Sequence, residues 1–135
     1  MVVIYVVSAE GAAGKTAICT GLGRFLQDNG KKVGFLKPLL DEKGSADGDI
    51  AFMKQVLGLP EAADLLAPPL GDAEKVKEAC DRVSQGKDVV ILEGALNQTA
   101  CEIAKTLGAG VIALEAYSGQ GSDFIDSYKG FGENL

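Results

Sequence analysis

Apolar residues fall along this chain in two kinds of block that alternate. Short unbroken runs rich in β-branched residues occupy 1–7 (MVVIYVV), 33–37 (VGFLK), 88–93 (DVVILE) and 111–116 (VIALEA). Runs of that length and composition predict strands buried on both faces. Between them, apolar residues recur at helical spacing. In 15–29 they are Ile18, Leu22, Phe25 and Leu26, one stripe on a helix that Asn29-Gly30 stops. Residues 49–57 carry Ile50, Met53 and Leu57, and 72–85 carry Val76, Ala79 and Val83 behind Asp72 and ahead of Gly86. The helix expected at 99–107 opens on Thr99 and Glu102, spaced as a capping box. A short helix is expected at 122–129. Residues 11–14 and 41–48 read as loop, and 60–71, with three prolines, shows only weak periodicity.

Strands separated by helices imply parallel pairing through right-handed crossovers, a three-layer α/β fold. In such a sheet, ligands bind outside the carboxyl ends of the strands. Three segments distant in sequence thereby share one address: 8–16, Lys37-Pro38 and Glu93-Gly94. No repeat, linker or low-complexity stretch divides the chain, so 1–135 reads as a single domain.

Composition narrows the chemistry. The 135 residues contain no histidine, which removes an imidazole base, a Ser-His-Asp or Cys-His centre and a His-ligated zinc site. Thirteen Lys and Arg against 19 Asp and Glu give a formal charge of −6, the opposite of a nucleic-acid binder's basic face. Cys19, Cys80 and Cys101 are too few and scattered for a disulfide framework or a Cys-x-x-Cys metal site; each falls in an expected helix, as a small buried hydrophobe. The apolar run at 1–7 is far short of the roughly 20 residues that cross a bilayer. The expectation is a cytoplasmic protein with neither a membrane nor a nucleic-acid partner.

The strongest chemical signal is Ser8-Ala9-Glu10-Gly11-Ala12-Ala13-Gly14-Lys15-Thr16. The phosphate-loop pattern G-x-x-x-x-G-K-[ST] fits at Gly14-Lys15-Thr16, while its leading glycine falls on Ala9. Small side chains still let backbone N–H groups wrap an oxyanion at a helix N-terminus. Glu10, Gly11, Ala12, Ala13, Gly14, Lys15, Thr16 and Ala17 are therefore the candidate nucleotide-binding residues. Lys15 would reach the β- and γ-phosphates, and Thr16 would offer its hydroxyl to Mg²⁺. Glu93 ends a buried strand, either as a magnesium carboxylate or as a solvated strand end. Lys37 either adds positive charge beside the phosphates or is an ordinary strand-end lysine. Asp47 and Asp49 lie where loop meets helix. Either could cap it, or Asp49 could be a second magnesium carboxylate.

These segments together resemble one family. The phosphate loop, Lys32-Val33-Gly34-Phe35-Leu36-Lys37-Pro38, Asp49 with its helix, and Val90-Ile91-Leu92-Glu93-Gly94-Ala95 occur in the order and spacing of the dethiobiotin synthetase-like P-loop group. That group includes dethiobiotin synthetase, the ATP-binding domain of cobyrinic acid a,c-diamide synthase and the N-terminal domain of some phosphotransacetylases. The resemblance implies a P-loop NTPase-type fold with ATP and Mg²⁺ as cofactors. It implies Lys15 and Lys37 as catalytic lysines, and Thr16, Asp49 and Glu93 as metal ligands. The implied chemistry is phosphoryl transfer to a small carboxylate or carbamate, which an amine then attacks. A homodimer is compatible with it.

Some stretches depart from the family pattern. Ser8-Ala9-Glu10-Gly11 replaces a Gly-Thr-Asp-Thr-type start, Leu39-Leu40-Asp41-Glu42 follows Lys37-Pro38, and Ala95-Leu96-Asn97 replaces Ala-Gly-Gly. These are substrate-side positions, so the acceptor stays open. A nucleotide-sensing domain of the phosphotransacetylase kind is the alternative to a ligase or amidase. A partitioning-type ATPase ranks below both, because no second lysine stands early in the loop. The end of the chain at Leu135, where the family would begin another strand, suggests a domain truncated at its C-terminus.

Overall fold

The structure, a computed structural model, describes residues 1–8, 14–38, 47–68, 72–115 and 129–134. In chain order the elements are β1 (Val2–Ser8), α1 (Lys15–Asp28), β2 (Val33–Leu36), α2 (Asp47–Leu57), α3 (Ala63–Leu66), α4 (Ala73–Val83), β3 (Val89–Ala95), α5 (Gln98–Leu107) and β4 (Gly110–Leu114). A 3₁₀ segment, Lys129–Asn134, follows them. The four strands form one sheet in the order β2-β3-β1-β4, and every pairing is parallel. Val6 lies beside Glu93 on one side and Ile112 on the other, and Leu36 lies beside Leu92. Six of the seven β3 residues are buried, as its nearly continuous apolar run requires of a central parallel strand.

Helices cover both faces. α1 rests on β1, β2 and β3 with α2 beside it, while α4 and α5 pack on each other across the opposite face. The core joins Tyr5, Val7, Phe35, Leu36, Ile91 and Leu92 of the sheet to Met53, Val76, Val83 and Ile103 of the helices. Phe131 is fully buried, and Asn134 Nδ2 donates to the carbonyls of Ala104 (3.3 Å) and Ala109 (2.9 Å), which ties the 3₁₀ segment to the end of α5. All three cysteines are free and buried in helices. Among the described residues, no helix is long and apolar enough to cross a membrane.

Several local expectations are corrected. α2 begins at Asp47, so 47–48 are helical rather than loop. The proline-rich stretch contains the short helix α3. Asp72 caps α4 as expected, accepting from Lys75 N at 3.0 Å, but α5 is capped by Asn97, whose Oδ1 accepts from Ala100 N at 2.7 Å. Thr99 lies inside that helix, so the capping box at 99–102 does not form. The helix expected at 122–129 falls outside the described residues except for Lys129, which opens the 3₁₀ segment.

The largest correction concerns the α1 stripe. Cys19 and Gly23 are its buried residues, Leu22 and Leu26 are partly covered, and Ile18 (42%) and Phe25 (63%) are exposed. α2 packs so closely on α1 that a Cβ on Gly23 would lie 2.8 Å from Leu57 Cδ2.

Candidate functional site

The carboxyl ends of β1, β2 and β3 are adjacent, and α1 starts immediately above them. Gly14 precedes the helix at φ 106°, a left-handed conformation that only glycine adopts without strain. Its carbonyl accepts the first helical bond, from Ile18 N at 2.9 Å. The N–H groups of the first helical turn have no intrahelical acceptor. In α4 and α5 a side chain satisfies one of them, from Asp72 and Asn97. α1 has neither a side-chain cap nor an acidic residue in its first turn.

Side chains from three elements and the link after β2 converge on this corner. Thr16 Oγ1 donates to Glu93 Oε1 at 3.2 Å, joining the first turn of α1 to the end of β3. Lys15 Nζ donates to the Gly94 carbonyl at 3.1 Å. Lys37 Nζ lies 2.7 Å from Asp49 Oδ2, in the first turns of α2, and 3.6 Å from Glu93 Oε1. The backbone of Lys37 is anchored as well, its N–H donating to Leu66 O of α3 at 2.7 Å. On the same helix Cys19, one turn on, faces inward, while Ile18 and Phe25 face out.

The site is electrostatically tight. Glu93 is 2% exposed, and its Oε2, like the hydroxyl of fully buried Ser8, has no hydrogen-bond partner among the described residues. Burial by itself lowers the Lys37 ammonium, but the hydrogen bond to Asp49 and the charges of Glu93 and Asp49 outweigh it, and its pKa is raised. Burial pushes the Cys19 thiol up to about 12, with the Glu93 charge adding to the rise. Cys19 is therefore a neutral packing residue beneath the site, with no nucleophilic role.

Of the candidate residues, Lys15, Thr16, Lys37, Asp49 and Glu93 meet here. Gly14 and Ala17 flank them at the helix start and are exposed. Glu10, Gly11, Ala12 and Ala13 lie outside the described residues, and Asp47 opens α2. Two contributors escaped the sequence reading. Ser8 is the first polar residue after a buried strand. Tyr5 lies beneath Gly94, where an added Cβ would come within 2.5 Å of its hydroxyl. The only sequence signal for Tyr5 was one aromatic residue in an otherwise aliphatic strand.

The donor set bears on which metal fits. Among the described residues, no three His, Cys, Asp or Glu side chains cluster closely enough to hold an ion unaided. One hydroxyl and two carboxylates are hard oxygen donors that suit Mg²⁺, which keeps waters and takes phosphate oxygens for its remaining positions. The unpartnered, buried Glu93 Oε2 fits a cation at this place.

Comparison with known proteins shows the family and the fold. A family model described as "AAA domain" matches residues 3–112. The ATP-dependent dethiobiotin synthetase of Methanococcus vannielii is 29% identical, over 68% of this chain and 50% of its own length. This chain therefore spans about half the length of the curated relative it matches. Among solved structures, the signal recognition particle receptor of Elizabethkingia anophelis, in complex with GDP, aligns with a TM-score of 0.62 and 21% identity. That alignment covers 99% of this chain and 46% of the receptor. A de novo designed protein with a P-loop NTPase fold aligns with a TM-score of 0.48 and 19% identity, over 97% of this chain and 77% of its own.

Proposed function

Since the chain belongs to the AAA domain family that contains dethiobiotin synthetase, a group with the P-loop NTPase-type fold, we propose that it binds ATP with Mg²⁺ where β1 gives way to α1. We infer that it serves there as the nucleotide-binding domain of an ATP-dependent, carboxylate-activating ligase or amidase. The observation that carries this reading is the convergence at Glu93. Thr16 bonds it, Lys37 bridges it to Asp49, and Lys15 sits on the next carbonyl.

Each residue has a role that follows from its chemistry. The residues from Glu10 to Ala17 would offer their backbone N–H groups to the polyphosphate, and the uncapped start of α1 would add its dipole. Lys15 turns from the Gly94 carbonyl to the β- and γ-phosphates. Thr16, Asp49 and Glu93 hold Mg²⁺, which when bound supplies charge neutralisation on the phosphate oxygens. Lys37 steadies the γ-phosphoryl as it passes to the acceptor. In that transfer, a carboxylate oxygen of a small substrate attacks the γ-phosphorus and ADP leaves. An amine then attacks the acyl phosphate, forming the C–N bond and releasing phosphate. The protein contributes positioning and charge, the terms that dominate phosphoryl transfer.

Calorimetry with Mg-ATP tests the reading. Lys15→Ala should bind about 30-fold or more weaker than the parent, since truncating one partner of a close charge pair costs roughly 2 kcal/mol at the low end. Its thermal midpoint should stay at the parental value, because Lys15 is partly exposed and touches one carbonyl. Equal affinity in a folded variant would overturn the site assignment. Phosphate release on adding small carboxylates and amines would support the ligase. Binding with no turnover under any acceptor would place the domain among nucleotide sensors.

A further inference from the structure

Lys37 holds two acidic partners at once. Its ammonium is 22% exposed and lies 2.7 Å from Asp49 and 3.6 Å from Glu93. Those are the same two carboxylates that the reading above gives to the metal. Glu93 is 2% exposed, and a carboxylate that dry stays charged only beside a cation or several donors. Without a ligand it has the Thr16 hydroxyl and Lys37, and its second oxygen has no partner among the described residues. Lys15, the other nearby ammonium, is turned to the Gly94 carbonyl. Lys37 thus occupies the space between the two carboxylates.

We propose that Lys37 is a resident counter-ion that competes with the divalent cation for Asp49 and Glu93, and releases them only when a polyphosphate offers its ammonium a new partner. The proposal rests on the nucleotide reading and adds a binding order to it. A divalent cation arriving alone must expel Lys37 and leave an ammonium without an anion in a half-closed corner. A cation arriving with a polyphosphate leaves no such orphan. Metal and polyphosphate then raise each other's affinity by the same factor, as thermodynamic linkage requires. The domain stays poorly charged with metal until the polyphosphate is present.

The test is Mn²⁺ binding in the absence of nucleotide, followed by calorimetry and by electron paramagnetic resonance of the free ion. Lys37→Met should bind Mn²⁺ at least about tenfold more tightly than the parent, the effect of losing one nearby competing charge. Lys37→Gln, which loses the charge but retains a hydrogen-bonding side chain, should behave alike. Lys37→Arg keeps the charge and should stay as weak as the parent. Lys31→Met, at an exposed lysine beyond the end of α1, should leave the affinity unchanged and so exclude a general field effect. No tightening in Lys37→Met or Lys37→Gln would overturn the proposal, as would equal tightening in Lys31→Met.

The unaltered protein gives a check that needs no variant to fold. Mn²⁺ with tripolyphosphate should raise its thermal midpoint by more than the two separate shifts combined. A shift from Mn²⁺ alone as large as that from the pair would overturn the competition. The two readings fail separately. If the parent binds no nucleotide, the nucleotide reading falls. If it binds nucleotide and Lys37→Met gains no affinity for free Mn²⁺, the counter-ion proposal alone falls.

Discussion

At the amino edge of the sheet, polar groups close onto backbone. Asp88 Oδ2 accepts from Lys32 N at 2.8 Å, Lys32 O accepts from Asp88 N at 2.8 Å, and Asp88 O accepts from Val2 N at 3.1 Å. At the carboxyl edge, Lys15, Thr16, Lys37, Asp49 and Glu93 bond chiefly with one another, and Ser8 Oγ and Glu93 Oε2 find no partner among the described residues. The first arrangement holds three strand starts together with a few short-range bonds. The second concentrates charge where burial penalises it, and leaves acceptors unsatisfied. Buried polar groups are nearly always paired, so these unpaired atoms are where the ligand proposed above would supply partners. The amino side has its own loose end in Glu61 Oε2, but there the Lys87 ammonium lies 3.5 Å from the other carboxylate oxygen and, among the described residues, no second charged pair adjoins it.

Changes at the two edges should therefore separate stability from binding. Gly94→Ala is expected to have the largest effect on the folded state. The new Cβ would meet Tyr5 at 2.5 Å (hydroxyl) and 2.8 Å (Cε2), and overpacking of that kind costs about 1–3 kcal/mol. Differential scanning calorimetry should show a midpoint lower by at least about 3 °C. Nucleotide affinity should fall with it, because the strain falls next to Glu93 on the same strand. Combining it with Tyr5→Leu should cost less than the two single changes added together. Strict additivity would mean that the contact is relieved elsewhere.

Asp88→Ala should destabilise by about 1 kcal/mol in urea unfolding, the usual net worth of one hydrogen bond. Nucleotide affinity should not move. A loss of binding there would erase the distinction between the edges.

A further effect is expected on alkaline stability. The Cys19 and Cys80 thiols rise from 9.0 to about 12 and about 11 through burial, so between those limits the folded chain holds protons that the unfolded chain has released. Stability is then full below about pH 9 and declines as pH rises through that window. Urea midpoints at pH 8 and pH 10 should differ in that direction, with Cys19→Ala reducing the slope. A flat profile would show that these thiols titrate alike in both states.

Much of this molecule is legible without coordinates. Unbroken apolar runs alternating with period-3.6 blocks allow little but a parallel sheet with helices on both faces, because parallel neighbours need crossovers. Asp72 reads as a cap, and Gly14-Lys15-Thr16 after a buried strand reads as a phosphate site, because both depend on spacing within a few residues. Lys37 and Asp49 read equally well as surface residues, since a strand end and a helix start place charges in many proteins for no other reason. The family resemblance favoured the site, and only the assembled sheet put Lys37 within reach of both Asp49 and Glu93.

Local pattern also failed where a choice among near-equals was settled by distant partners. Asn97 and Thr99 are both competent caps, and the path of the chain off β3 selected Asn97. Ile18 and Phe25 fit an apolar stripe better than Cys19 and Gly23 do. Yet α1 is turned with Cys19 and Gly23 inward, where α2 packs on it and Lys15 and Thr16 meet β3, 79 and 77 residues away. Periodicity thus establishes which residues form elements and roughly where they begin and end. The rotation of a helix, the partner of a charge and the space beneath a glycine depend on residues far along the chain, which meet only once the sheet has formed.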